Sequence, residues 1–217
     1  CEFRKNLIPD DIFIPTRLNK TKLNKFCKDI NIYDAPLFRF KDSLKVNNTN
    51  KNNIKDSISV FLPIEQKEAI LIIFQLSQSN FIKTNKIEVI VKPHPDMSRQ
   101  FINKLLIICE NRFIFSNKPL DLIMKKTTLV ISTSSSSTIE AIFYGKPVIS
   151  PINTNLIIDS PIVDLVKKKY YDTSYTTKDL DVKISRSVST KKNYSFNFLK
   201  NRNYFFSKNE KKKYLNL

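Results

Sequence analysis

Residues Thr127 to Pro151 read TTLVISTSSSSTIEAIFYGKPVISP, and no other stretch restricts the possible fold as much. An apolar β-type run, Leu129-Val130-Ile131, ends in hydroxyl-bearing residues from Ser132 to Thr138. A short amphipathic stretch follows, Ile139 to Tyr144, then Gly145-Lys146-Pro147 and a second apolar run, Val148-Ile149. The pattern is strand, polar loop, helix, tight turn, strand. In an open α/β sheet, ligands sit just past the carboxyl ends of such strands. The following helix turns its free N–H groups and the positive end of its dipole into the same space. A row of hydroxyls there can donate several hydrogen bonds to a phosphate without adding negative charge.

A second anchor lies upstream, where Ile87-Glu88-Val89-Ile90-Val91 runs into Lys92-Pro93-His94-Pro95. This too is a strand ending in a rigid polar loop, and it carries the only histidine of the chain. Together the two strand ends imply one nucleotide-phosphate site. Around them the pattern is regular. Strands are expected at Ile58–Leu62, Ile87–Val91, Phe113–Phe115, Leu129–Ser132 and Val148–Ile149. Helices are expected at Glu65–Gln78, Ser98–Cys109, Pro119–Lys125 and Ser137–Phe143. In the first helix, Ala69, Ile70, Ile73, Phe74 and Leu76 are expected to form the apolar face. The alternation predicts an α/β fold, a Rossmann-like doubly wound parallel sheet with helices on both faces. Upstream, short strands are expected at Ile8–Pro15 and Ile30–Tyr33, a helix at Lys20–Lys28 and an apolar segment at Pro36–Phe40. Asp42 to Asp56 is polar, without apolar periodicity, and reads as a linker. Downstream, a helix is expected at Pro161–Lys168, an edge strand at Val182–Ile184 and a final aromatic, basic helix in the tail.

Composition narrows the function classes. The formal net charge is +17. A coding bias toward Lys, Asn and Ile explains it as well as attraction to an anionic substrate or an anionic membrane face does. The lysines are dispersed and no aromatic-plus-basic motif stands out, so nucleic acid is not expected as a partner. Cys1, Cys27 and Cys109 show no paired or metal-type spacing, which suggests a reducing compartment. No apolar run approaches the roughly 20 residues that a membrane span needs. The chain does not begin with Met and its first residues read like the middle of a protein; no signal-peptide pattern is read there, and a fragment is expected.

Each candidate residue has a structural and a functional reading. His94 stands between two prolines, which fix φ and remove backbone donors, so it sits on a rigid perch. Its imidazole can hydrogen-bond a phosphate, or protonate a leaving phosphate near neutral pH. Lys92 can add charge to the same phosphate or be one more surface lysine. Ser137-Thr138-Ile139-Glu140 fits a capping box, with Ser137 as the cap and Glu140 returning the bond. That leaves Ser134, Ser135 and Ser136 without a task. The functional reading gives Ser134 to Thr138 to a phosphate and Glu140 to ribose hydroxyls. Gly145 is the only glycine and reads as a left-handed helix C-cap. No cluster suggests a metal, no cofactor is implied, and the loop lacks the glycines of a Walker A motif.

Lys92-Pro93-His94-Pro95 together with Ser134-Ser135-Ser136-Ser137-Thr138 resembles the HP and SS motifs of bacterial sialyltransferases and Kdo transferases of capsule and lipopolysaccharide assembly. Ser137 to Ala141 and Tyr144 to Ile149 are similar to the nucleotide-binding helix of GT-B glycosyltransferases and of UDP-sugar 2-epimerases. The epimerase pattern has glycines where this chain has serines, which points away from an epimerase. The resemblance covers roughly residues 8 to 150 and implies the C-terminal, donor-binding half of a GT-B glycosyltransferase of surface polysaccharide synthesis. Residues 1–45 would end the N-terminal domain, 46–56 would link, 57–180 would bind donor and 181–217 would form a helical, basic tail. The implied donor is a nucleotide sugar, CMP-linked Kdo or a sialic-type sugar, with a glycan or lipid-linked acceptor. His94 would contact or protonate the donor phosphate, Ser135 to Thr138 would bind it and Glu140 would hold ribose. The implied location is cytoplasmic, with peripheral contact at the anionic inner membrane. A CDP-glycerol-type glycerophosphotransferase of the same fold, and a non-catalytic basic module that binds membrane or nucleic acid, remain as alternatives.

Overall fold

The computed structural model describes residues 11–14, 23–25, 30–34, 57–152 and 171–189. The expected linker, the apolar segment at 36–40, the helix at 161–168 and the aromatic tail lie outside them, as does most of the helix at 20–28. The chain divides into two compact units, residues 1–44 with 197–217, and residues 45–196. In the first, β1 (Asp11–Ile14) pairs in parallel with β2 (Asn31–Asp34).

The second unit is built on β3 (Ser57–Phe61), β4 (Glu88–Lys92), β5 (Ile114–Phe115), β6 (Leu129–Ile131), β7 (Val148–Pro151) and β8 (Tyr171–Ser174). They form one parallel sheet in the order β5-β4-β3-β6-β7-β8. The chain starts at the centre, steps outward to β4 and β5, then returns to the other side of β3 for β6, β7 and β8. Direction therefore reverses between β3 and β6. In such sheets the loops leaving the two central strands part there and open a crevice.

The helices follow from the pattern. They are α1 (Gln66–Gln78), α2 (Asn80–Asn85), α3 (Arg99–Ile108), α4 (Leu120–Lys126), α5 (Ser137–Phe143) and α6 (Thr177–Ser189). One face of the sheet, with Ile58, Val60, Val89, Val91, Leu129, Ile131 and Ile149, packs against α1, α3 and α6. On the other, α4 lies on β3 and α5 on β6 and β7. Every residue of β3 is buried, as a central parallel strand requires. Its two polar side chains are satisfied: Ser59 Oγ shares a hydrogen bond with Thr127 Oγ1 at 2.6 Å, and Ser57 Oγ donates to the Lys126 carbonyl.

Two expectations give way. Ile70 and Phe74 are exposed, and the buried stripe of α1 is Ala69, Ile72, Ile73 and Leu76, the tighter i, i+3, i+4, i+7 set. Val182–Ile184 is no edge strand. Those residues lie inside α6, where Leu180 and Ile184, four apart, are buried and Val182 is exposed. The short V-K-I alternation has two readings, and the helical period over the longer window decides between them. Asp181 also ties α6 to α2: it accepts from Ser79 Oγ and, at 3.0 Å, from Asn80 N–H.

Candidate functional site

Three loops leave the same edge of the sheet. Phe61 is in register with Lys92, and Val60 with both Val91 and Ile131. The loops after β3, β4 and β6 therefore start level. Cross-links keep them there: Leu62 N–H donates to the Lys92 carbonyl at 3.1 Å, and Ser132 Oγ to the Phe61 carbonyl at 2.6 Å.

The loop after β4 carries His94, whose side chain is 34% exposed. Its Nδ1 accepts the Asp96 N–H at 3.3 Å and lies 3.5 Å from Asp96 Oδ2. With Nδ1 accepting, the neutral ring carries its proton on Nε2; with both nitrogens protonated, Nδ1–H faces the carboxylate. Met97 N–H closes the turn on the His94 carbonyl at 3.0 Å, and Ser98 Oγ caps α3 by accepting Phe101 N–H at 3.2 Å. Lys92 is not drawn toward the serines. Its Nζ donates to the Lys118 carbonyl at 2.9 Å, on the β5 side of the sheet.

The loop after β6 is built differently. Thr133 Oγ1 donates to Glu68 Oε2 at 2.6 Å, and Ser134 Oγ donates to the same oxygen at 2.9 Å. Glu68, in the first turn of α1, is only 3% exposed. Burying a carboxylate is costly unless it is hydrogen-bonded, and these two hydroxyls supply that. Ser135 Oγ accepts Ser137 N–H at 3.3 Å, and the Ser135 carbonyl accepts both Thr138 N–H at 3.1 Å and Thr138 Oγ1 at 2.5 Å.

The expected capping box does not form. The N-cap of α5 is Ser136, in αR geometry and with no side-chain cap bond, and Ser137 is already the first helical residue. The tight turn satisfies the first N–H groups, Ser137 N–H at Ser135 Oγ and Thr138 and Ile139 N–H at the Ser135 and Ser136 carbonyls, which removes the task of a capping side chain at Ser137. Thr138 is fully buried with its hydroxyl on Ser135, so it faces the core. Ser135, Ser136 and Ser137 are half-buried, as is Glu140, which stands one helical turn beyond Ser136. At seven residues α5 contributes a small dipole, so hydroxyls and nearby N–H groups matter more than the helix as a whole.

The far end of α5 fits expectation. Gly145 has φ 68°, Gly145 N–H donates to the Ile142 carbonyl and Lys146 N–H to that of Ala141, both at 2.9 Å. That is a Schellman closure. Burial holds the Lys146 ammonium below its ordinary pKa. On α6, burial pushes the Asp179 carboxyl up, but the bond from Lys183, the Tyr175 N–H and the Lys183 charge outweigh it and leave it below its ordinary value. Among the described residues no group of three or more His, Cys, Asp and Glu is placed to hold a metal, and no helix is long and apolar enough to cross a membrane.

Glu68 was not among the sequence candidates. The signal was available: it falls on the stripe shared with Ile72 and Leu76, and a carboxylate on a buried stripe needs named partners.

No family model and no curated protein matches the chain. Solved structures do. S. aureus TarM matches with a TM-score of 0.61 at 17% identity, over 92% of this chain and 40% of that one. A UDP-GlcNAc 2-epimerase from Methanocaldococcus jannaschii, solved with UDP-GlcNAc and UDP, matches at 0.55 and 14%, over 86% and 54%. A glycosyltransferase from Rickettsia africae matches at 0.54 and 12%, over 85% and 56%. The chain spans about half, or less, of each. The likeness shows the fold: an α/β unit with a six-stranded parallel sheet that matches one domain half of GT-B glycosyltransferases.

Proposed function

We propose that the chain is the donor-binding part of a GT-B glycosyltransferase. Residues 1–45 belong to the end of the preceding domain, and the acceptor side lies outside this chain. The observation that carries the reading is the pairing of two loops at one sheet edge. A one-third-exposed histidine follows β4, a row of half-buried serines follows β6, and the switch point lies between β3 and β6. The donor is a nucleotide sugar, CMP-linked Kdo or a sialic-type sugar. The acceptor is a glycan or a lipid-linked glycan of the cell surface, met at the cytoplasmic face of an anionic membrane that the net charge of +17 favours.

In this reading the hydroxyls of Ser135, Ser136 and Ser137 and the nearby N–H groups take the donor phosphate. As the glycosyl–oxygen bond breaks, negative charge gathers on that phosphate, and the donors aimed at it stabilise the transition state more than the ground state. His94 presents Nε2–H to the departing phosphate as hydrogen-bond donor or general acid, and Asp96 balances the imidazolium before the proton is passed. Glu140 accepts from ribose hydroxyls. Ser134 and Thr138, both tied to other protein groups, act behind the phosphate contacts.

Calorimetric titration with CMP, CDP, UMP and UDP tests this. One nucleotide binds saturably, and Ser135→Ala/Ser136→Ala weakens it by about tenfold or more, the scale of at least one lost hydrogen bond to a charged group. Absence of binding, both here and after the upstream domain is restored, would overturn the reading.

A further inference from the structure

We propose that Glu68 is a positioning residue for the serine loop, fixing the direction in which Ser135, Ser136 and Ser137 face their ligand. The ligand part rests on the donor-site reading above; the positioning part rests on geometry alone. A carboxylate has no proton to offer, so both hydroxyls that meet Glu68 Oε2 must spend their protons on it. This orients Thr133 and Ser134 and ties the start of the loop to α1, across the switch point. From there the links run on without a break: Ser135 Oγ takes Ser137 N–H, and the Ser135 carbonyl takes Thr138. A buried side chain on the β3 side thus sets the start of α5 on the β6 side. With its proton held by Glu68, Ser134 cannot also donate to a phosphate. A buried negative charge beneath Ser134 repels a phosphate there as well. The phosphate contacts are therefore confined to Ser135, Ser136 and Ser137, at the end of the loop away from Glu68.

Two readouts on Glu68→Ala, Glu68→Gln and Ser134→Ala test the proposal. The first is amide hydrogen exchange over residues 133–138 in the free chain, with the amides of β3 and β4 as the control for global folding. Glu68→Ala speeds loop exchange by about tenfold while β3 and β4 stay protected; Glu68→Gln, which keeps an acceptor oxygen, stays within about threefold of the parent. Unchanged loop exchange in Glu68→Ala overturns the proposal. If Glu68→Ala loses protection everywhere, Ser134→Ala decides: faster exchange confined to the loop supports the proposal, and no change overturns it. The second readout is the affinity gained by CMP over cytidine. Glu68→Ala loses most of that gain and Glu68→Gln keeps it, a split that general destabilisation would not produce. A gain retained in Glu68→Ala overturns the ligand part. If the parent binds no nucleotide, either alone or with the upstream domain restored, the donor-site reading has failed, and the exchange readout still decides the role of Glu68.

Discussion

The loops after β4 and β6 flank β3 on its two sides and are held in opposite ways. The β6 loop is tied into the interior: Ser132 to the backbone of β3, Thr133 and Ser134 to a buried carboxylate, Thr138 to Ser135. Beyond its start at Lys92 and the packing of Met97 on the core, the β4 loop is held locally: among the described residues the His94 side chain bonds to Asp96, two residues on, and Met97 N–H closes the turn on the His94 carbonyl. A phosphate cradle works by having its donors already in place, because reorganising them at the moment of binding or reaction costs what the contacts would return. A group that passes a proton needs solvent contact and a partner for each charge state. The two constructions suit those two tasks. They also predict that damage to the first shows in stability and damage to the second in ligand binding.

The largest effect on stability is expected at Thr133. Thr133→Val keeps the shape and takes from Glu68 its shorter hydrogen bond, leaving a buried carboxylate with one of its two hydroxyl donors. The cost is about 1–3 kcal/mol, read as a lower denaturant midpoint at unchanged slope. A midpoint within error of the parent would mean that Glu68 does not anchor the loop.

Next comes the other end of the same helix. Gly145 holds φ 68° in the closure of α5, a region where a Cβ costs roughly 1–2 kcal/mol. Gly145→Ala should lower stability by about that much and leave nucleotide affinity unchanged, since the loop end of α5 is fixed independently. Calorimetry on the folded variant checks this. An affinity loss matching the stability loss would show that the loop depends on the helix and not on Glu68.

The sheet was readable in the sequence because both of its periods are strong. The strand runs are β-branched and bounded, and α1 and α3 carry enough apolar residues to face the sheet. What misled were residues with two local options. Ile70 and Phe74 are apolar yet exposed on α1, because a chain this rich in Ile and Phe has more apolar positions than the sheet face takes. Val182 and Ile184 alternate like a strand over three residues and sit on a helix of thirteen. At the site, the positions of His94 and the serine row were readable because both follow directly from strand ends. The roles within the row were not. Ser134, Ser136 and Thr138 are alike in sequence; Glu68, distant along the chain, ties Ser134, the Ser135 carbonyl ties Thr138, and the Ser136 side chain makes no cap bond. A capping box is a local motif, and here a tight turn replaced it.

The smallest effect on stability, and the one that separates the two loops best, belongs to His94. Its ring is one-third exposed and its bonds are to Asp96, so His94→Ala removes nothing from the sheet or from the β6 loop. Buried Pro93 remains to hold the turn. Stability should therefore stay within about 0.5 kcal/mol of the parent, the usual range for a surface change. The affinity gained by CMP over cytidine should nevertheless fall about tenfold, the loss of one hydrogen bond to a charged group. Thr133→Val and His94→Ala then move along different axes, the first chiefly in unfolding and the second only in phosphate recognition. If His94→Ala unfolded as readily as Thr133→Val, the proline-flanked loop would be part of the scaffold, and the rigid perch would hold the fold together instead of presenting a proton.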